Sequence, residues 1–249
     1  MCSSDLKQKI FDVDIDYKVL EYAGDLDQFS LAARTALCSS PTEIQAYGVF
    51  LPPSETILAH AREQATRPFT PVYADADAHY EAEFTLDISR LEPQIARPGG
   101  VHNAVNLSEV AGTPVSHAFI GSCGSGMWDD LMQAAAVLKG RRVADGVRLF
   151  IAPGTEASTR RLAKEGWMQV LIEAGAILLP AGCGPCNDAV IGPIDNGEVS
   201  ISTATNNPPG RFGAREAKLY LGSPATVAAS AVSGKITDPR EFLAMETAL

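Results

Sequence analysis

Apolar residues in this chain gather in short runs separated by glycine, proline and acidic residues, and beyond Pro114 those runs become regular. Val115 to Ile120 predicts a strand, Trp128 to Leu138 an alanine- and leucine-rich helix, and Val147 to Ala152 a second strand closed by Pro153-Gly154. Thr155 to Ala174 predicts one helix, with Leu162, Trp167, Val170 and Leu171 close to helical spacing, and Ala176 to Leu179 predicts a third strand. Ser223-Pro224 reads as an N-cap followed by proline in the first turn, with Gly234 after the last turn. Strands alternating with helices of this length predict a parallel sheet with crossover helices, an α/β fold.

The first part of the chain is less regular. Leu31 to Leu37 predicts a helix, broken before Gly48-Val49-Phe50-Leu51-Pro52-Pro53. Ser54 is the expected N-cap of the next helix, with Glu55 behind it and Ile57 and Leu58 on its buried side. Residues 66–82, rich in proline, alanine and aspartate, predict a surface connection, and the alternation of Glu83 to Ile88 predicts a half-buried strand. Arg97 to Thr113 contains Gly99-Gly100 and little periodicity, which predicts an extended loop. Met1-Cys2-Ser3-Ser4-Asp5-Leu6 matches the translation of a common sequencing adapter, so residues 1–15 are expected to be an artefactual or disordered leader on an N-terminally truncated fragment.

Composition narrows the class. With 249 residues, 46% of them hydrophobic, the chain can bury a large core. No apolar run approaches the roughly 20 residues of a membrane span, and no basic stretch precedes an apolar one as in a secretory signal. Thirty acidic against twenty basic residues give a formal charge of −10, which argues against a nucleic-acid partner. A few local donors still suffice to bind an anionic substrate. Five cysteines are an odd count and make a disulfide scaffold improbable, so the expected setting is reducing and cytoplasmic.

Three of those cysteines stand at predicted strand ends, where functional groups of open α/β sheets gather. Cys123 lies in Gly121-Ser122-Cys123-Gly124-Ser125-Gly126, and Cys183 and Cys186 lie in Gly182-Cys183-Gly184-Pro185-Cys186. Glycines let the backbone approach closely and free amide donors for an anion or for cluster sulfides. A C-x-x-C by itself also serves zinc and redox pairs. A structural zinc needs four ligands: Cys38 is a possible fourth, while His117 lies at the far end of the first strand. The residues after Cys186 do not read as the helix that a redox pair usually opens. Three thiolates on an iron–sulfur cluster leave one iron open as a Lewis acid; three buried inert cysteines are the plainer alternative. The Gly121 to Gly126 run lacks the glycine order of a dinucleotide loop, although an anion at the next helix N-terminus suits either reading.

These residues resemble the aconitase superfamily, in particular large subunits of 3-isopropylmalate dehydratases and homoaconitases. The resemblance runs through Phe119-Ile120-Gly121-Ser122-Cys123, Asp129-Asp130-Leu131, Pro153-Gly154-Thr155, Glu173-Ala174-Gly175-Ala176, the Cys183–Cys186 motif, Gly210-Arg211, Ser223-Pro224 and Ala231 to Arg240. A weaker match covers Val19 to Gly24 and Arg34 to Cys38, with Glu43 at an acidic position of the family. It implies aconitase-like α/β/α units, with residues 16–110 a partial domain and linker and 111–249 the α/β cluster-binding domain. It implies a [4Fe-4S] cluster on Cys123, Cys183 and Cys186, which serve as its metal ligands, and dehydration and rehydration of a 2-hydroxy di- or tricarboxylic acid. Glu43 and Arg211 are then the expected catalytic residues, and Arg211, Ser125 and Gly124 the expected substrate contacts. Without the resemblance, Glu43 would read as an exposed helix glutamate and Arg211 as a surface arginine after a turn.

Departures from the family pattern are Gly124-Ser125 in place of Thr-Asn, Ser39-Ser40 in place of Asn-Met, and Asn206 where a second arginine is usual. One cation fewer puts the substrate in question. None of His60, His79, His102 and His117 matches the family's upstream histidine motifs. The swivelling domain that supplies a serine base is expected as a small second subunit. The isolated chain is therefore expected to hold a cluster with little or no turnover. A non-catalytic iron–sulfur sensor and a zinc-stabilised fold are the alternatives.

Overall fold

The computed structural model describes residues 15–187 and 191–243, so the leader expected over residues 1–15 lies, apart from Ile15, outside the described residues. The elements are β1 (Val19–Glu21), α1 (Leu31–Ser39), β2 (Gly48–Phe50), α2 (Glu55–Gln64), β3 (Gln94–Ala96), β4 (Ala104–Asn106) and β5 (His117–Gly121). There follow α3, a single turn (Ser122–Ser125), α4 (Trp128–Leu138), β6 (Arg148–Ala152), α5 (Glu156–Lys164), α6 (Trp167–Glu173) and β7 (Ile177–Leu178). The chain closes with β8 (Val199–Ser202), β9 (Lys218–Leu221), α7 (Pro224–Ser233) and α8 (Arg240–Leu243).

The main sheet runs β4-β3-β9-β8-β5-β6-β7, and β1 and β2 form a separate parallel pair. From β9 to β7 every pairing is parallel, as the strand–helix alternation predicts; β3 adds to β9, and β4 to β3, in antiparallel sense. Chain order proceeds outward from β5 through β6 to β7, then returns to lay β8 on the other side of β5. The C-terminal ends of β5 and β8 therefore flank the topological switch point, where loops diverge and leave a crevice.

Both faces of β5 and β6 are buried, so these strands read as nearly continuous apolar runs. Ala118, Ile120, Leu149, Ile151 and Ile201 pack beneath Leu131, Leu138, Leu162, Leu171 and Val227 from α4 to α7. Phe119, Phe150, Ala152 and Leu219 face the opposite way, against Ile15, Ala46, Val101, Ile194 and Phe212. No helix among the described residues is long and apolar enough to cross a membrane.

Four local expectations need correction. The single helix over 155–174 is two helices, because Gly166 adopts φ +80° and restarts the chain in a new direction. Glu83 to Ile88 is not a strand but irregular chain, and the preceding stretch is tied down by Lys18–Glu81 and by Tyr80 donating to Glu21 at 2.7 Å. Within the expected loop of 97–113, Ala104–Asn106 pairs with Gln94–Ala96 as a hairpin whose three-residue strands are too short to show a period. Ser54 occupies the N-cap of α2, but its hydroxyl accepts from Arg34 rather than from the helix.

That arginine anchors the first part of the chain. Arg34 is 5% exposed, and its guanidinium donates to the carbonyls of Leu26 and Phe29 at 2.6 and 3.2 Å and pairs with Asp27 at 3.2 Å. Arg34→Met keeps the apolar stem but strands these acceptors. It is expected to cost about 2 kcal/mol, seen as a lower urea midpoint at unchanged slope; a wild-type midpoint would refute the anchoring role.

Candidate functional site

The site begins where β5 ends. Gly121 has φ +139° and Ser122, fully buried, has φ +67°, so the chain leaves the sheet abruptly and carries Cys123 out to an exposed position on α3. A non-glycine residue held in the left-handed region stores strain that the surrounding packing must hold in place. Gly126 ends the turn against the loop after β6, where the Gly154 N–H donates to its carbonyl at 2.8 Å. A Cβ on Gly126 would lie 2.5 Å from Gly154 N, so only glycine permits this approach.

The same loop holds the second cysteine segment, which follows β7. Gly182 N–H donates to the Pro153 carbonyl at 3.0 Å, which sets Cys183 beside the loop after β6. Gly184–Cys186 then forms a 3-10 turn, with Cys186 N–H donating to the Cys183 carbonyl at 3.2 Å. Gly184 is packed against Phe119 and Ala152, side chains of β5 and β6. Cys183 is exposed and Cys186 buried, and Cys38, Cys123, Cys183 and Cys186 are all free thiols.

A third segment joins the first two. The crossover from β8 to β9, residues 203–217, contains no helix. Its first residue, Thr203, brackets Gly121: its hydroxyl accepts from the Gly121 N–H at 2.9 Å and lies 3.3 Å from the Gly121 carbonyl. Thr205 lies over Gly124, and Asn206 donates to the Glu43 carboxylate at 3.3 Å. Asn207, 1% exposed, donates to the carbonyls of Arg97 and Leu219 at 2.9 and 2.8 Å and so pins the crossover to the sheet. Arg211 donates through Nε to the Cys186 carbonyl at 2.8 Å.

Both cysteine segments, Gly124, Ser125, Glu43 and Arg211 are thereby linked through the loops at the C-terminal end of the sheet. Glu43 lies in the 3-10 turn Ser40–Ile44 after α1 and is exposed, as the plain reading expected, yet it is held by Asn206. Arg211 is half-buried on Cys186 rather than free on the surface. Thr203 and Asn207 were not visible as site residues in the sequence. The alternation of Val199-Ser200-Ile201-Ser202 would have flagged β8, and with it the crossover that follows.

The other two candidate ligands are His117 and Cys38. Among the described residues, no three histidine, cysteine or acidic side chains are close enough to enclose one metal ion. His117 sits at the opposite end of β5, buried between Phe150 and Phe212 with ring centroids 5.4 and 6.4 Å away. Cys38 is half-buried near the end of α1, which packs on α3; burial pushes its thiol up and the Arg34 charge partly offsets this. Beyond the Cys123 turn, burial raises the Asp130 carboxyl to about 6, while the Met127 N–H that it caps at 3.1 Å opposes the shift.

Comparison with known proteins places the chain in a family. The model of the aconitase family (aconitate hydratase) matches residues 108–234, which span β5 to α7 and all three cysteines. A 3-isopropylmalate dehydratase large subunit from Methanopyrus kandleri is 44% identical over 91% of this chain and 54% of that protein. A protein of Methanosarcina mazei named "Probable methanogen homoaconitase large subunit" is 42% identical over 91% of this chain and 57% of its own length. A 3-isopropylmalate dehydratase large subunit from Mycolicibacterium smegmatis is 40% identical over 90% and 54%. The chain thus spans about half the length of these relatives. With a family match over 127 of 249 residues (108 to 234 inclusive), the chain belongs to the aconitase family.

Proposed function

We propose that this chain is the metal-centre portion of an iron–sulfur hydro-lyase large subunit, acting on a 2-hydroxy di- or tricarboxylic acid such as 3-isopropylmalate together with a small swivel-domain subunit in the cytoplasm. The observation that carries this reading is the joining of the two cysteine segments through Pro153-Gly154, with the 203–217 crossover bonded to both. The donor set fits a [4Fe-4S] cluster: three free thiols stand in the loops after β5 and β7, on either side of β6. When bound, such a cluster supplies an iron without a protein ligand, a Lewis acid toward a substrate hydroxyl and carboxylate.

The chain's own residues divide the remaining work. Arg211 offers a substrate carboxylate the guanidinium N–H groups that Cys186 does not use. Gly124 and Ser125, half-buried on the Cys123 turn, would contact the substrate beside it. Glu43, held by the Asn206 amide, is the carboxylate that takes or returns a proton. The names of the relatives, large subunits of dehydratases and of a homoaconitase, support both the reaction class and the second subunit.

Anaerobic reconstitution tests this. The full chain is expected to take up iron and acid-labile sulfide stoichiometrically, and the triple variant Cys123→Ser, Cys183→Ser, Cys186→Ser to take up neither. No cluster in a folded wild-type chain would end the reading, and zinc without sulfide would favour the structural alternative. Turnover that appears only once a small subunit is added separates a catalyst from a sensor.

A further inference from the structure

Arg211 meets the second cysteine segment with two nitrogens of one rigid group. Nε donates to the Cys186 carbonyl at 2.8 Å, and Nη2 stands 3.9 Å from Cys186 Sγ. Cys186 is 5% exposed, so little water competes for either contact. Because the guanidinium is planar, the bond that fixes the carbonyl also fixes where the neighbouring N–H points. A cationic donor at a thiolate draws on its negative charge, and hydrogen bonds to cluster sulfurs are among the factors that set a cluster's potential. We propose that Arg211 is a positioning residue for the metal centre: it holds the Gly184–Cys186 turn and, through the Cys186 sulfur, sets how firmly and at what potential a cluster is held. This rests on the cluster reading above. It also changes the expected part of Arg211 as a plain carboxylate clamp, since the guanidinium edge formed by Nε and Nη2 is turned to Cys186. A substrate carboxylate would engage the remaining donors, so that one cation serves both substrate and cluster ligand.

The experiment compares the full chain as wild type, Arg211→Lys and Arg211→Gln after anaerobic reconstitution. It reads the rate at which a chelator removes iron, the midpoint potential in an EPR-monitored titration, and the urea midpoint as a measure of folding. Loss of the outer partner in Arg211→Gln should speed iron removal about tenfold and lower the midpoint potential, because a neutral group no longer favours the added electron. Arg211→Lys keeps the charge without the fork, so iron should leave quickly while the potential stays nearer to wild type. A merely structural arginine would not produce that split. Wild-type rates and potentials in both variants would overturn the role of Arg211 and leave the cluster reading standing. A wild-type chain that binds no iron and sulfide would overturn both. If Arg211→Gln does not fold, Arg211→Lys decides: iron removal at the wild-type rate overturns the proposal.

Discussion

Gly121→Ala is expected to destroy the fold around the Cys123 turn. A Cβ at this position would lie 1.9 Å from the Ala152 carbonyl oxygen, and the backbone stands at φ +139°, outside the region L-residues adopt. Backbone cannot yield as the end of a flexible side chain can, because Gly121 is paired in register with Ala152 at the heart of the parallel sheet. Relief would require β5 and β6 to separate at their C-terminal ends, breaking the contacts of Phe119 and Ala152 with Gly184 as well. The cost is expected to exceed about 4 kcal/mol, enough to leave the chain insoluble or unfolded at ambient temperature. Gly140→Ala is the matched control: φ is +70° with nothing within 4 Å of the added Cβ, so about 1 kcal/mol of backbone strain is expected. The check is soluble yield and thermal unfolding of the two variants side by side. Similar melting of both would show that β5 and β6 are not locked together as described.

The second large effect is an opposition between two buried groups as pH changes. Burial lowers the His117 pKa from 6.5 to about 4, helped by the Arg148 charge and resisted by Glu198, so the folded protein keeps this imidazole neutral. Below pH 6.5 the unfolded chain takes up a proton that the folded one refuses. Stability is therefore lost as pH falls from 6.5 to about 4, by about 3 kcal/mol in all. Asp130 acts in the opposite sense. Its pKa, raised by burial from 3.8 to about 6, makes the folded chain hold a proton that the unfolded one has released. Its contribution is fully present below pH 3.8 and lost as pH rises through 6, again by about 3 kcal/mol. Between pH 4 and 6 the two slopes largely cancel in the wild type. Asp130→Asn retains an acceptor for the Met127 N–H and has no charge to bury. The variant should exceed wild-type stability above pH 6, match it near pH 4, and expose the steep His117 slope between. Denaturant unfolding at pH 4, 5, 6 and 7 supplies the curves, and parallel curves for the two proteins would disprove the account.

Both predictions depend on how the sheet is assembled, and this marks the boundary of what could be read in advance. The helix Trp128–Leu138, the strands ending at Ala152 and near Leu179, and the Ser223-Pro224 cap with Gly234 after it were legible, and the structure holds them within a residue or two. Each is encoded locally: apolar spacing selects helix or strand, a hydroxyl accepts from the Thr226 N–H, and glycine takes the left-handed position after the last turn. The Cys123 and Cys183–Cys186 motifs were legible for the same reason, since a glycine-bracketed cysteine at a strand end is a local pattern. Local, too, is the misreading of Glu83 to Ile88, because alternation within one segment does not record whether a sheet forms there.

Tertiary structure alone decided the rest. Strand order places β8 beside β5, and only that adjacency brings Thr203 to Gly121 and the crossover to both cysteine segments. Asn206 meets Glu43 across 163 positions of sequence, and Arg211 meets Cys186 across 25. No periodicity records such contacts, because the 203–217 crossover has no repeating structure of its own and takes its shape from hydrogen bonds to β5, to β9 and to Arg97 just after β3. The sequence by itself determined the helices, the strand ends and which thiols stand there. The packing of the sheet determined which side chains surround them, because bonds made across a switch point exist only once the strands on either side have been laid down.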